Sequence, residues 1–127
     1  MVDSKRYNDW LEKADRDIKS ARVLKQNDCG NDVVAFHSQQ AIEKSLKGFL
    51  LKKIGRVVEG HSLIYLCKEA SNYCVEFKKH LKDCAFVNQY YIETRYPADV
   101  QLIVSDEEAE ECITIAKEIN KMVIDNI

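Results

Sequence analysis

The sequence predicts an all-α fold, an up-and-down antiparallel bundle of four to five helices formed by a single domain over residues 1–127. The chain of 127 residues contains one proline and four glycines, too few turn residues for a protein built from many short strands. Apolar residues recur at steps of three and four along most of the chain, which is the spacing of one helix face. No convincing strand-like alternation occurs outside residues 100–104.

Two long helices are predicted in the first half of the chain. The first covers residues 4–26, where apolar side chains form one face, and it ends at a turn sequence that contains glycine. The second covers Asn31–Ile54, with Asn31 or Asp32 as its N-cap and Gly55 as its end. This second helix is apolar over most of its circumference. We therefore expect it to lie at the centre of the bundle or to be shared with a second chain.

Three further helices are predicted in the second half. One begins at His61 or Ser62, and the next covers residues 75–94. Pro97 cannot continue that helix, because proline lacks the backbone N–H that a helix interior needs. The last helix begins at Ser105, where the sequence Ser-Asp-Glu-Glu matches a capping box.

Overall charge gives no general attraction to nucleic acid. The formal net charge is -2, so any nucleic-acid contact requires a local basic patch. No window reaches the roughly 18 apolar residues that span a bilayer, and the first five residues lack the apolar core of a signal peptide. We therefore expect a cytoplasmic protein that has no membrane partner.

The cysteines and histidines predict neither a disulfide nor a metal site. The five cysteines show no Cys-x-x-Cys pairing and mostly fall on apolar helix positions, so we interpret them as buried, reduced thiols. The three histidines are not at metal-pair intervals from one another or from the cysteines, and no metal or cofactor is expected. The lysine-rich sequence around His80 predicts a solvated helix face. These residues are Cys29, Cys67, Cys74, Cys84, Cys112, His37, His61 and His80.

A polar stripe runs along the second helix. It consists of Gln40, Glu43, Lys44 and Lys47, at helical spacing i, i+3, i+4 and i+7. A solvated face with a Glu43–Lys47 ion pair explains it structurally. The functional interpretation is a surface for a ligand or partner, on which the two lysines are available to phosphate.

Positive charge is concentrated at the end of the same helix. Cations there complement the helix dipole, which is a sufficient structural explanation. If the cluster is functional, we expect it to hold a phosphate, although it lacks the glycine spacing of a P-loop. The cluster consists of Lys47, Lys52, Lys53 and Arg56, with His61 near in sequence.

The segment around the only proline is the sharpest functional candidate. Arg95 and Asp99 flank Tyr96 and Pro97. The four residues fit a structural clamp that holds the connection to the last helix against the bundle. Alternatively, Arg95 is an exposed ligand for an anion, with nearby tyrosines that stack on a base.

Four short motifs occur in a characteristic order between Trp10 and Asp99. They are Trp10-x3-Ala14-x2-Asp17-Ile18-x2-Ala21, then Gln40-Ala41-Ile42-Glu43-Lys44-Ser45-Leu46-Lys47, then His61-Ser62-Leu63, and finally Tyr91 followed by Arg95-Tyr96-Pro97-x-Asp99. Together they resemble HEPN domains, the higher eukaryote and prokaryote nucleotide-binding domains. The chain is most similar to the small prokaryotic HEPN proteins.

The resemblance implies an up-and-down bundle that commonly forms homodimers. It also implies association with a minimal nucleotidyltransferase, often encoded by a neighbouring gene. Some members of the wider family are metal-independent ribonucleases that act as toxins and are restrained by that partner. Those members carry Arg-x4-6-His, in which the pairs from two subunits activate the ribose 2'-hydroxyl and stabilise charge on the phosphate.

The sequence departs from this ribonuclease pattern. Arg95 lies at the position of the family's late arginine, but no histidine follows it in the chain. A lone arginine supplies electrostatic stabilisation without acid–base catalysis. Arg56 and His61 fit Arg-x4-His by letter, but they lie between the second and third helices, where the resemblance does not place the catalytic pair. The sequence therefore favours a protein that is not an enzyme.

We therefore prefer a non-catalytic module that binds a nucleotide or RNA phosphate as a homodimer, with a minimal nucleotidyltransferase partner in a toxin–antitoxin-like pair. One alternative is a metal-independent ribonuclease toxin that uses Arg56 and His61, or Arg95 with a histidine from elsewhere in the dimer. Another is a non-catalytic dimerisation scaffold. The predicted phosphate-binding residues are Lys44, Lys47, His61, Arg95, Tyr96 and Asp99, and the predicted partner or dimer surface includes Gln40 and Glu43.

Overall fold

The computed structural model describes residues 4–93 and 103–127, and every regular element in these ranges is helical. The elements are a 3-10 turn (Ser4–Arg6), α1 (Tyr7–Gln26), α2 (Asn31–Ile54), α3 (Leu63–Ser71), a 3-10 segment (Val75–His80), α4 (Leu81–Asn88), α5 (Tyr90–Glu93) and α6 (Asp106–Asn126). The predicted all-α helical bundle is confirmed. None of the described helices combines the length and the apolar character needed to cross a membrane.

Helix α2 lies at the centre of the bundle, as its apolar circumference predicts. Fourteen of its 24 residues are buried, and it packs against α1, α3, α5 and α6. Its buried serines are satisfied locally, because Ser38 and Ser45 donate to carbonyl oxygens one turn earlier. The side chain of Asn120 on α6 donates to the Ser45 hydroxyl at 3.0 Å. Polar groups in this core therefore keep hydrogen-bond partners.

Gly48 sets the closest approach between α1 and α2. A Cβ atom at this position would lie 3.1 Å from the Trp10 Cβ and 3.3 Å from the Tyr7 carbonyl oxygen. Both of these atoms are fixed by the backbone of α1. The absence of a side chain at Gly48 therefore lets α1 pack directly on α2 and places Trp10 over the polar stripe.

The prediction of one continuous helix over residues 75–94 is wrong within the described residues. Residues Val75–His80 form a 3-10 segment, α4 ends at Asn88, and α5 begins at Tyr90 after a one-residue break. His80 lies at the junction of the 3-10 segment and α4, and its backbone angles, φ -99° and ψ 6°, depart from those of either helical form. Side chains spaced three apart share a face in both forms, so a short run of apolar residues does not distinguish them. Thr94 and Pro97 lie outside the described residues.

The predicted bounds of α2, Asn31–Ile54, are confirmed, and two of the three predicted N-caps are confirmed as well. Ser105 forms the predicted capping box with Glu108, and Ser62 caps α3 by accepting a hydrogen bond from the Tyr65 N–H. The N-cap of α2 is Gly30 rather than Asn31 or Asp32, and it makes no side-chain cap hydrogen bond. Its φ of 113° lies in the region that glycine adopts without strain.

The cysteines are free thiols, as predicted, but they are not all buried. Cys67, Cys84 and Cys112 are buried, whereas Cys74 is half-buried and Cys29 is exposed. Cys29 lies in the turn between α1 and α2, outside the hydrophobic core. Burial raises the pKa of the Cys112 thiol to about 12.

Candidate functional site

The polar stripe of α2 is partly buried rather than solvated. Glu43 and Lys47 are only 5% and 6% exposed, so the interpretation as a solvated face is wrong for these two residues. The predicted ion pair is present, with Lys47 Nζ 3.3 Å from Glu43 Oε2. The ammonium group also lies 5.9 Å from the centre of the Trp10 ring on α1. A buried ion pair is costly unless further hydrogen bonds satisfy its polar atoms, and the second oxygen of Glu43 is bonded as well.

Glu43 is the acceptor at the centre of this network. Its Oε1 atom lies 3.0 Å from His61 Nδ1 and accepts a hydrogen bond from Gln39 Nε2 at 3.4 Å. Gln39 also donates to the His61 carbonyl oxygen, and Gln40 donates to the Gln39 side chain at 2.8 Å. The network therefore ties the start of α3 to the middle of α2. Gln40 and Glu43, predicted as a partner surface, take part in these internal contacts.

His61 is the exposed end of the network. Its side chain is 55% exposed, and its ring stacks on Tyr91 with centroids 4.6 Å apart and planes inclined by 18°. The bond to a carboxylate places the proton on Nδ1. No described residue bonds the other ring nitrogen, Nε2. The arrangement presents an oriented imidazole to solvent, stacked on a tyrosine that lies four residues before Arg95 in the chain.

A second ionic cluster joins α1 to α2 through Asp17. Its carboxylate lies 2.9 Å from His37 Nδ1 and 2.6 Å from Lys44 Nζ. Burial raises the pKa of Asp17, but the hydrogen bonds from His37 and Lys44 outweigh this effect and hold the pKa below its usual value. The first sequence motif includes Asp17 but predicts no role for it. The feature of the sequence that could have indicated this contact is an acidic residue on the apolar face of α1, between Ala14 and Ile18.

A cavity of about 380 Å³ lies between α1, α2 and the loop that follows α2. We call it the α1–α2 cavity. Three cationic side chains and the only tryptophan of the chain line it, together with one acid and two apolar residues. The lining residues are Arg6, Asp9, Trp10, Lys13, Lys44, Leu51 and Val57.

The charges around this cavity are unequally paired. Arg6 bonds Asp9 at 3.0 Å and Lys44 bonds Asp17, whereas Lys13 forms no ion pair with any described residue. Lys47 lies over the face of Trp10 and bonds Glu43, so contacts run without a gap from the cavity to His61. A ligand that carries both an anionic group and an aromatic ring can therefore contact a cationic side chain and the indole ring at the same time.

The remaining predicted site residues are not brought into this cluster. Arg56 is exposed, and no hydrogen bond or ion pair between described residues joins it to His61. The ammonium groups of Lys52 and Lys53 lie over the rings of Tyr7 and Phe49. Arg95, Tyr96 and Asp99 lie outside the described residues, so their predicted roles stay predictions.

Comparison with known proteins gives a family and two similar structures. A sequence model described as the HEPN domain matches residues 7–127. TT1696 from Thermus thermophilus is 29% identical in sequence, with a TM-score of 0.86 over 96% of this chain and 98% of that chain. ST0689, described as an archaeal HEPN homologue, is 30% identical, with a TM-score of 0.74 over 94% of this chain and 96% of that chain. No curated protein matches the chain.

Proposed function

Because the chain belongs to the HEPN family, we propose that it binds a nucleotide or an RNA phosphate without cleaving it. We further propose that it acts as a homodimer with a minimal nucleotidyltransferase, in a toxin–antitoxin-like pair. The observation that carries the binding proposal is the α1–α2 cavity, where Trp10 lies beside Lys13, a cation without an ion-pair partner among the described residues. In this account the base stacks on Trp10, and Lys13 and Lys44 bind the phosphate.

Charge and burial support this position for the ligand. The chain carries a net charge of -2, so a phosphate needs a local group of cations. The cavity lining supplies Arg6, Lys13 and Lys44 against one carboxylate, that of Asp9. Lys47 is buried against Glu43 and holds the network beneath the cavity, so we assign it a supporting role. His61 lies at the other end of this network, and Arg95, Tyr96 and Asp99 stay proposed ligands because they form part of the family motif.

Binding is tested with a fluorescently labelled oligoribonucleotide and fluorescence polarisation. We expect saturable binding that Lys13→Gln weakens by about tenfold, the loss from one charge-assisted contact of roughly 1.5 kcal/mol. The matched control is Lys19→Gln, because Lys19 is also exposed on α1 but pairs with Asp15 outside the cavity. Equal affinities of the two variants would contradict this position for the ligand. No saturable binding of any ribonucleotide or RNA would leave only the scaffold function.

The partner proposal has a separate test. The gene beside this one is sequenced and, if it encodes a small nucleotidyltransferase, the two proteins are co-expressed and analysed by size-exclusion chromatography with light scattering. We expect a complex that contains two copies of this chain. A monomeric chain that elutes apart from the nucleotidyltransferase would contradict both the homodimer and the partnership.

A metal-independent ribonuclease is the second candidate, and the geometry of His61 favours it. Glu43 holds Nδ1 of His61, and Nε2 has no partner among the described residues, which is how a general base is oriented. This function predicts RNA cleavage in the presence of EDTA that is lost in His61→Ala and kept in His37→Gln. Intact RNA after long incubation at high protein concentration would exclude it.

A further inference from the structure

A second cavity, of about 400 Å³, lies between the 3-10 segment Val75–His80 and α6. It shares no lining residue with the α1–α2 cavity. Its walls are polar, with acids and lysines from both elements around one histidine. The lining residues are Glu76, Lys79, His80, Glu118, Lys121, Met122, Asp125 and Asn126.

His80 lines this cavity and is itself almost fully buried. The residue is only 7% exposed, so the prediction of a solvated helix face around it is wrong at this position. Its Nδ1 atom lies 3.0 Å from Asp83 Oδ2, and no described residue bonds Nε2. Every fully buried side-chain nitrogen or oxygen of the described residues has a partner. Because Nε2 has no such partner, it is not fully buried.

Two carboxylates complete a set of metal-binding atoms around this imidazole. One donor atom each from His80, Asp83 and Glu118 lies within 4.8 Å of the other two. Donor atoms around a tetrahedral zinc ion are separated by about 3.4 Å, given bonds of roughly 2.1 Å. Glu118 is exposed on α6, so its side chain is free to change rotamer when an ion binds.

Glu118 has no cation to neutralise it among the described residues, although two lysines line the same cavity. Lys79 lies 3.7 Å from Glu76, and Lys121 lies 2.8 Å from Asp125. No ion pair or hydrogen bond joins Glu118 to any other described residue. The negative charge of Glu118 is therefore available to an external cation.

We propose that His80, Asp83 and Glu118 bind a divalent transition-metal ion. An imidazole with two carboxylates favours Zn²⁺ or Co²⁺ over Mg²⁺ and Ca²⁺, which prefer oxygen atoms alone. The ion takes the lone pair of His80 Nδ1, the nitrogen beside Asp83, while the ring proton moves to Nε2. One oxygen from each carboxylate completes the protein ligands, and water from the cavity fills the remaining position. The site joins the junction of the 3-10 segment and α4 to α6, so the ion stabilises the folded chain.

The test is a titration of the full chain, free of any affinity tag, with Zn²⁺ followed by calorimetry. We expect one ion per chain, a melting temperature that rises in Zn²⁺ but not in Mg²⁺, and affinity at least about tenfold weaker in Glu118→Gln. Glu118 is exposed, so its variant folds even if His80→Ala does not. Glu111→Gln is the matched control, because Glu111 is exposed on the same helix outside the cavity.

Co²⁺ distinguishes this site from the thiols of the same chain. We expect the visible bands of a tetrahedral ion with nitrogen and oxygen ligands, and these bands disappear in Glu118→Gln. Charge-transfer bands from thiolate would place the ion on cysteine and overturn the proposal. Equal affinities of Glu118→Gln and Glu111→Gln would overturn it, as would the absence of saturable binding at about 100 µM Zn²⁺.

Discussion

Asp17 is the residue whose charge has the clearest structural consequence. The residue is 8% exposed, and its carboxylate accepts hydrogen bonds from His37 and Lys44, which both lie on α2. These contacts cross between helices, so they stabilise the packing of α1 on α2 rather than either helix alone. Lys44 also lines the α1–α2 cavity, so Asp17 determines the position of one proposed phosphate ligand.

We expect Asp17→Asn to lower the free energy of unfolding by about 1–3 kcal/mol at neutral pH, because two partly buried donors lose a charged acceptor. The pKa of Asp17 is lowered in the folded chain, so its contribution is present above the ordinary pKa of aspartate. The contribution is lost as pH falls through the lowered value. Urea unfolding curves at neutral pH and in strong acid measure both effects.

Asp15→Asn is the matched control for this prediction, because Asp15 is exposed on the same helix and pairs with Lys19. An exposed pair of this kind contributes about 0–1 kcal/mol. Equal stabilities of the two variants at neutral pH would contradict the role of Asp17. A difference between Asp17→Asn and the unchanged chain that persists in strong acid would contradict it as well.

At the scale of elements, the contact between α1 and α2 depends on Gly48. We expect Gly48→Ala to lower the free energy of unfolding by about 1 kcal/mol net, since overpacking of about 1–3 kcal/mol exceeds the roughly 1 kcal/mol by which alanine favours a helix. The new Cβ would press on atoms of Tyr7 and Trp10 that cannot rotate away. Urea unfolding measures the change, and a more stable variant would show that α1 moves away without cost.

Some of the helix ends could be predicted from the sequence and others could not. The ends of α2 and the start of α6 follow from local signals, namely apolar spacing, Gly55 and the capping box at Ser105. The break at His80 does not, because residues spaced three apart lie on one face in both 3-10 and α-helical turns. The glycine N-cap of α2 was missed because Asn31 and Asp32 are both favoured cap residues. The Asn31 side chain instead donates to the Val104 carbonyl oxygen and to Asp106.

The site was harder to predict than the helices, because its contacts are long-range. The spacing of Glu43 and Lys47 predicted their ion pair but not its burial under Trp10. Asp17 meets residues that are 20 and 27 positions away in the chain. Periodicity within one helix contains no information about such pairs. The four family motifs identified helix positions correctly where the structure describes them, but they did not indicate that a cavity lies between α1 and α2.

At the scale of the whole molecule, the thiols report global unfolding. Cys67, Cys84 and Cys112 are buried, so they react with a thiol reagent only when the chain opens. Burial also raises the pKa of Cys112 to about 12, which keeps that group protonated. We expect Cys29 to be modified first in native protein and the three buried thiols only in denaturant. Mass spectrometry of labelled peptides checks this order, and rapid native labelling of Cys112 would contradict the packing of α6.

The central claim is that a nucleotide or RNA binds in the α1–α2 cavity, and Trp10 provides the most direct measurement of it. Trp10 is the only tryptophan in the chain, and it lines this cavity with the Lys47 ammonium 5.9 Å from its ring centre. We expect its fluorescence to change saturably as a ribonucleotide or oligoribonucleotide is added, with a weaker response in Lys13→Gln than in Lys19→Gln. Unchanged Trp10 emission under conditions where polarisation shows bound RNA would place the ligand elsewhere and contradict the account.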